Sequence, residues 1–111
     1  MIGPFTRRLT LEERAAAPDG AGGLEEIWVE VAALWAALRA TGARERAEGH
    51  SEAAKVSHRA EVRWAPPGAL ARPRPDQRLR EGERLYAIRG VAEADDRRER
   101  LVLWLEEGAL S

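Results

Sequence analysis

Alternation of apolar and polar residues predicts several β-strands in this chain. The clearest run is Val56–Trp64, "VSHRAEVRW". Over these nine residues, polar and charged side chains on one face alternate without a break with the mostly apolar side chains on the other. A period of two belongs to a strand and not to a helix. A second alternation, Thr6–Glu13, places Leu9 and Leu11 on one face of a half-buried strand.

The last third of the chain has the pattern of a β-hairpin. We expect one strand over Arg84–Ala92, a turn at Asp95–Arg98 and a return strand over Glu99–Glu106. Val102 and Trp104 share one face of the return strand, and that face is as apolar as the other. A small barrel has a single inside, so we expect Val102 and Trp104 to contact another subunit. The opposite face is leucine throughout, at Leu101, Leu103 and Leu105.

Three segments lack strand patterns. Ala17–Gly23 reads as a loop by its Pro, Asp and Gly content. Ala65–Gln77 contains four prolines, which fix φ and remove backbone donors, so it is predicted to be a stiff loop. Ala43–Lys55 is rich in Ala, Glu and Arg and predicts a short helix.

The stretch Gly22–Ala40 supports two interpretations. Its large apolar residues recur at the spacing of a helical stripe, with Trp28 and Trp35 one heptad apart. The segment "IWVEV", however, is β-branched and aromatic and follows a glycine-rich turn, which favours a strand. The residues alone leave helix and strand open.

Composition narrows the class of protein. A chain of 111 residues corresponds to a single domain, 1–111, and 44% hydrophobic with 33% charged residues is typical of a folded one. There is no cysteine, which excludes disulfides and thiol chemistry. No apolar run reaches the ~20 residues of a membrane span, and the first residues lack a signal-peptide pattern, so we expect a cytoplasmic origin and no membrane partner.

Charge is distributed in zones along the chain. The net charge is −1, but residues 55–89 carry nine basic and four acidic residues, a net of +5. The flanking segments, 1–54 and 90–111, each carry a net of −3. Such zones can pair between copies of the chain or present one face to a polyanion. The arginines expected to contact a neighbouring subunit lie on the proline-stiffened stretch, at Arg72, Arg74, Arg78 and Arg80.

Candidate catalytic and metal-binding residues are few. His50 and His58 have no partners at ligand spacing, so no metal site is predicted. Ser57 is adjacent to His58, and neighbouring strand residues point to opposite faces, so we expect no nucleophile–base pair. Asp95 and Asp96 have a turn composition. We therefore predict no catalytic residue, no metal and no cofactor, and a protein that is not an enzyme.

Several features occur together in an order that matches a known family. They are a tryptophan pair, a strand with the pattern H-R-x-x-x-R-aromatic and a strand with the pattern G-x-x-x-[FY]-x-I-x-[GA]. In this order and at this length the chain resembles the head–tail joining proteins of tailed bacteriophages, also called head-closure or stopper proteins, including the version carried by gene transfer agents. The matching residues are Trp28, Trp35, His58, Arg59, Arg63, Trp64, Gly82, Tyr86 and Ile88.

The resemblance implies a mainly β fold: a small β-barrel or sandwich with one short α-helix in a connecting loop. Gly22–Ala40 is then largely strand, with a bulge or bend turning its tryptophans inward or to a subunit edge, although the alanine-rich part, 32–38, fits a strand less well. The expected core residues are Leu9, Leu11, Trp28, Trp35, Val62, Trp64, Tyr86, Ile88, Leu101 and Leu103.

The resemblance also implies a structural role. Copies of the chain would form a homo-oligomeric ring between the portal or adaptor and the tail terminator or tail-tube protein. Such a particle would assemble in the bacterial cytoplasm, and duplex DNA would pass through the ring without sequence readout. The link between the tryptophan strand and the His58 strand would face this lumen through its cations, Arg39, Arg44, Arg46 and Lys55.

A small nucleic-acid-binding β-barrel is the alternative function. Such a module usually interleaves exposed aromatic residues with its cations, and the segment 65–82 contains none. The basic residues available to it would be Arg59, Arg63, Arg72, Arg74, Arg78 and Arg80.

Overall fold

The protein is a six-stranded antiparallel β-barrel. The computed structural model describes residues 3–42 and 56–108. The strands lie around a closed barrel in the order β1-β2-β3-β6-β5-β4, and β1 pairs with β4 to complete it. The mainly β prediction is thus confirmed, while the predicted helix, Ala43–Lys55, lies outside the described residues. The strands are β1 (Arg7–Pro18), β2 (Leu24–Ala40), β3 (His58–Arg63), β4 (Arg78–Glu81), β5 (Arg84–Glu93) and β6 (Arg100–Glu107).

Alternate side chains from all six strands fill the barrel interior, as the period of two requires. Tyr86, which is completely buried, is the largest of them, and leucines supply most of the remaining volume. Trp64 packs against this core and is only partly buried. The buried core residues are Leu9, Leu11, Leu34, Ala36, Ala60, Val62, Leu79, Tyr86, Ile88, Leu101, Leu103 and Leu105.

The ambiguous stretch is a strand along its whole length. β2 has 17 residues and pairs with β1 from Leu24 to Ala36 and with β3 from Ala36 to Ala40. The alanine-rich half is therefore paired throughout, with β1 up to Ala36 and with β3 from Ala36 onward. Tertiary pairing overrides the weak strand propensity of alanine.

A β-bulge explains why β2 resembles a helix in sequence. Leu11 pairs with Ala32, but the next residue of β1, Glu12, pairs with Glu30, so Val31 is an extra residue in β2. One extra residue reverses which side chains face inward. Two residues that are seven positions apart on opposite sides of the bulge, such as the two tryptophans, therefore lie on the same face of the strand.

The common face of the two tryptophans is the outer one, and this corrects the prediction that both are core. Trp35 is 56% exposed. Trp28 is half-buried, beneath the guanidinium groups of Arg14 and Arg78, whose central carbons lie 5.2 and 4.2 Å from the ring centroid. The bulge turns the tryptophans away from the interior, where leucine and alanine already fill the space.

The remaining predicted elements shift by a few residues. β1 continues to Pro18, so the first loop is shorter than Ala17–Gly23. β3 occupies the centre of the predicted Val56–Trp64 strand, and the predicted hairpin matches β5 and β6 within one residue at each end. The strand that sequence patterns missed is β4, whose four residues, "RLRE", are too few for a visible alternation.

Candidate assembly surfaces

The ends of β1 and β2 extend past the barrel as a two-stranded arm. β4 pairs with β1 only over Thr10–Glu12, and β3 pairs with β2 only from Ala36 onward. Residues 13–18 and 24–30 therefore pair with each other and with no other described strand. The described part of the molecule is accordingly elongated, with extents of 48 × 28 × 24 Å. The arm exposes backbone edges that invite pairing with another surface.

The tip of the arm is a rigid, acidic turn. Oδ1 of Asp19 accepts hydrogen bonds from the amides of Ala21 (2.8 Å) and Gly23 (3.0 Å), and these bonds lower the pKa of Asp19. A Cβ atom at position 23 would lie 2.9 Å from Oδ2 of Asp19, so a side chain there would displace the Asp19 carboxylate. Leu24, at the end of the turn, is 72% exposed.

A charged network holds the outer face of β4 to β1. Arg78 and Arg80 donate to the two oxygens of the Glu12 carboxylate at 2.7 and 2.9 Å, and only 8% of that side chain is exposed. Burial alone would raise the pKa of Glu12, but the hydrogen bonds from Arg80 and Arg78 outweigh it and the pKa is lowered. The prediction that all four arginines lie on one loop is therefore wrong for Arg78 and Arg80, which β4 places against Glu12.

Arg72 and Arg74 do lie in the loop, and the loop packs on the barrel. Nη1 of Arg72 donates to the carbonyl of Ala65 at 2.8 Å, and Nη2 of Arg74 lies 3.3 Å from Oε1 of Glu13. Buried Gln77 closes the loop by accepting from the Arg74 amide at 2.7 Å. The side chain of Arg74 is still 65% exposed, so it is available to a neighbouring molecule.

The outer face of β6 is covered within the chain, which corrects the prediction for Val102. Val102 is only 4% exposed, because it lies between Glu61 of β3 and Ala92 of β5. Arg100 spans this face, bonding Glu61 at 3.2 Å and the carbonyl of Gly3 at 2.8 Å. The N-terminal segment thus packs against the side that the sequence suggested for a partner.

Trp104 lies two residues further along β6 and is half-buried. It is paired in register with Arg59 of β3 and Gly90 of β5. Glycine at position 90 offers no side chain, so part of the indole face is left to solvent. Its contact with another subunit stays a prediction.

An apolar groove of about 570 Å³ opens beside the exposed Trp35. Trp64 fixes one side of it, since its Nε1 donates to Glu93 at 2.6 Å and Arg98 stacks 5.7 Å from its ring centroid. Two cations flank Trp35: Arg8, its register partner on β1, and Arg63, which lines the groove. Within residues 3–42 and 56–108, neither of these arginines forms an ion pair.

Ser57 and His58 are in contact at one end of the barrel, which corrects the prediction that they point apart. Ser57 precedes β3, so strand alternation does not apply, and its Oγ lies 2.9 Å from Nδ1 of His58. The same Oγ accepts from the Glu107 amide at 2.7 Å. The serine hydroxyl therefore anchors the end of β6 to β3.

The side chain of His58 is partly buried. Its ring meets Tyr86 edge-on, with centroids 5.2 Å apart, and its Nε2 lies 3.9 Å from Oε1 of Glu107. Burial lowers the pKa of His58, an effect that Glu107 opposes and that Arg84 and Arg7 reinforce. The arrangement is that of a packed histidine beside a buried tyrosine.

The predicted lumen residues are mostly outside the described part. Arg39 is half-buried in β2, in register with Arg59. Arg44, Arg46 and Lys55 lie outside the described residues, and their role stays a prediction.

Two features are absent from the described residues. These residues hold no group of three or more His, Asp or Glu side chains placed to bind a metal ion. They also hold no helix of the length and apolarity that crossing a bilayer requires.

The arm and the groove escaped the sequence patterns, for two different reasons. The first strand of the arm could have been found from the run of small and charged residues before "PDGAGG", "EERAAA", which is poor in core-forming side chains. The groove joins Arg8, Trp35 and Arg63 from three strands, and no local pattern connects them.

Comparison with known proteins identifies what the chain is similar to. A family model described as phage head completion protein matches residues 1–108. A chain of the virion of the native gene transfer agent particle is 37% identical, with a TM-score of 0.71 over 97% of this chain and 99% of that one. Protein SF1141 from Shigella flexneri 2a shares the fold, at 22% identity and a TM-score of 0.72 over 99% and 98% of the two chains. No curated protein matched.

Proposed function

The chain belongs to the phage head completion protein family and is a structural component of a phage-like particle, and from this premise we propose that it joins the DNA-filled head to the tail. In this role copies of the chain form a ring that continues the portal or adaptor and receives the tail terminator or tail-tube protein. The observation that carries the proposal is the end-to-end similarity to a chain of a gene transfer agent virion.

Ring formation is supported by surfaces that a lone barrel does not need. The arm presents unpaired strand edges, and the groove presents Trp35. Closed rings use one patch of each copy against a different patch of the next. An arm and a groove on different parts of one molecule meet that requirement.

Further contacts in the neck would use Trp104, Arg72 and Arg74. Arg74 carries most of its guanidinium into solvent on a loop that is already ordered, so binding an acidic neighbour costs little conformational entropy. The acidic zones 1–54 and 90–111 of adjacent copies supply such a neighbour.

The segment between β2 and β3, with Arg44, Arg46 and Lys55, is proposed to face the lumen together with Arg39 at the end of β2. Three glutamates in the same segment, Glu45, Glu48 and Glu52, offset these cations. A weakly charged lining lets duplex DNA pass without holding it, because phosphate affinity rises with each uncompensated cation.

The nucleic-acid-binding alternative is weakened by internal ion pairing. Of its six arginines, Arg78 shares the Glu12 carboxylate with Arg80, and Arg74 lies against Glu13. Neutralised cations release few counterions and so contribute little to phosphate affinity.

A gene deletion in the cell that makes the particle tests the proposal. Without this chain, we expect DNA-filled heads and separate tails, and complete particles again when the wild-type chain is supplied. Electron microscopy of complemented particles should show a ring of this chain at the neck. Complete, infectious or DNA-transferring particles formed without the chain would overturn the proposal.

A further inference from the structure

We propose that the arm tip of each copy inserts into the Trp35 groove of the next copy, so that one repeated contact builds the ring. This inference rests on the proposed function and adds the residues of the contact. The tip comprises residues 17–27, and the groove is the apolar cleft beside Trp35.

The two surfaces are complementary in charge. Residues 17–27 contain three acidic residues, Asp19, Glu25 and Glu26, and no basic one. The groove is flanked by Arg8 and Arg63, which lack ion-pair partners among the described residues. Docking the tip would give both arginines acidic partners beside a surface that excludes water.

The two surfaces are also complementary in shape and polarity. Leu24 and Trp35 are two of the three large hydrophobic residues that the described structure leaves exposed, at 72% and 56%. The tip residues before Leu24, 20–23, are glycine and alanine, which allow close approach to the groove wall. Burying both hydrophobic side chains against each other removes them from water.

The tip is ordered before it binds. The Asp19 side chain holds the amides of Ala21 and Gly23, and the pairing of β1 with β2 continues to Pro18 and Leu24. A preordered tip loses little conformational entropy on docking.

The geometry makes the contact directional. Leu24 and Trp35 lie on the same extended strand, eleven residues apart, which corresponds to about 36 Å at ~3.3 Å per residue. One copy therefore cannot seat its own tip in its own groove. Each copy gives a tip to one neighbour and accepts a tip from the other, which produces a ring when the rotation closes.

Disulfide trapping in assembled particles tests the contact. The chain has no cysteine of its own. Leu24→Cys in the tip and Ala33→Cys in the groove would therefore be the only cysteines of the double variant. The two positions are nine residues apart in one strand, about 30 Å, whereas a disulfide needs Cα atoms within ~7 Å. Any disulfide in the double variant therefore joins two copies.

We expect oxidised particles of the double variant to give a ladder of linked copies on a non-reducing gel. Each single variant, and the control Leu24→Cys with Glu83→Cys in the exposed β4–β5 turn, should stay monomeric. Reversing the groove charges with Arg8→Glu and Arg63→Glu should weaken the ladder at least tenfold, and adding Glu25→Arg and Glu26→Arg should restore it.

Three results would overturn the inference. A neck ring with no ladder leaves the proposed function standing but removes the arm–groove contact. Dimers of the Leu24→Cys single variant would show tip-to-tip pairing instead. A ladder that Arg8→Glu with Arg63→Glu leaves at full strength would show that the tip acids do not pair with the groove cations. Absence of this chain from the neck would contradict the proposed function itself.

Discussion

Glu12 shows how one side chain can secure a strand that is too short to be read from sequence. β4 has four residues, yet its two outward arginines converge on this single carboxylate. The sequence displays the charges but not their convergence, because the partners are more than sixty residues apart.

Replacing Glu12 by glutamine should destabilise the barrel. The change leaves Arg78, whose side chain is only 11% exposed, without a charged partner, and we expect a loss of about 2 kcal/mol in the free energy of unfolding. Chemical denaturation measures this. Glu13→Gln is the matched control: its side chain is 38% exposed, and the loss there should stay below ~1 kcal/mol. Equal losses in the two variants would contradict the assigned role of Glu12.

His58 predicts a pH dependence of stability. Burial lowers the pKa of His58 below its ordinary 6.5, so the unfolded chain binds a proton at a higher pH than the folded chain does. Stability should therefore fall as the pH drops below about 6.5, by at most ~1.4 kcal/mol per pH unit for one proton. The lowered pKa values of Glu12, Glu81 and Glu107 act in a separate window, below their ordinary 4.5.

His58→Gln should flatten the pH dependence of stability below about pH 6.5 and above the carboxylate window, as followed by denaturation midpoints across that range. His50→Gln, which removes the chain's other histidine, should retain the wild-type slope. If His58→Gln keeps the slope, another group titrates in this window.

At the scale of elements, the bulge in β2 decides what could be predicted. Strands with an unbroken period of two, such as β3 and β6, were predictable within about two residues because one face of each enters the core. β5 was predictable as well, although its register with β6 shifts at Arg89. In β2 the extra residue, Val31, shifts the alternation midway. The large apolar residues on the two sides of it then recur at a spacing that resembles a helical repeat. A local pattern cannot distinguish a bulged strand from a helix, since only the partner strand defines the register.

The arm should be separable from the barrel in stability. Gly23→Ala places a Cβ atom 2.9 Å from Oδ2 of Asp19 and so disrupts the tip turn, while no core residue is touched. We expect faster amide hydrogen exchange over residues 13–30, unchanged exchange in β3, β5 and β6, and a free energy of unfolding within ~0.5 kcal/mol of wild type. Gly42→Ala, with open space around position 42, is the control and should change neither. Uniformly faster exchange would mean that arm and barrel unfold together.

At the scale of the whole molecule, charge separates a particle component from a free DNA-binding module. The net charge is −1, and most outward arginines of the barrel lie against glutamates. We therefore expect the isolated chain to bind duplex DNA more weakly than about 1 µM at physiological salt. Fluorescence anisotropy with a labelled duplex measures this, and sub-micromolar binding by a single copy would favour the DNA-binding alternative.

Assembly residues should be separable from folding residues in the particle. Trp104→Ala, and Arg72→Ala combined with Arg74→Ala, should each leave a soluble, folded subunit, because these side chains lie outside the central core. Particles carrying either change should have filled heads that fail to join tails or that leak DNA; truncating a central interface tryptophan typically costs ~2 kcal/mol or more.

Arg97→Ala, in the exposed β5–β6 turn with 79% of its side chain in solvent, is the matched control and should assemble normally. Unfolding of the isolated Trp104→Ala subunit would place Trp104 in the folding core instead.

The continuity of β1 and β2 from barrel to arm determines how the molecule bears load. Both strands run from the core to the tip without a hinge, and their backbone hydrogen bonds lie across the strand axis. Tension applied at the tip is thus carried along the strands and shears many rungs of the barrel ladder at once, instead of unzipping them one by one. The arm is therefore mechanically continuous with the barrel. Pulling the arm out would require breaking the hydrogen bonds that hold β1 and β2 in the barrel.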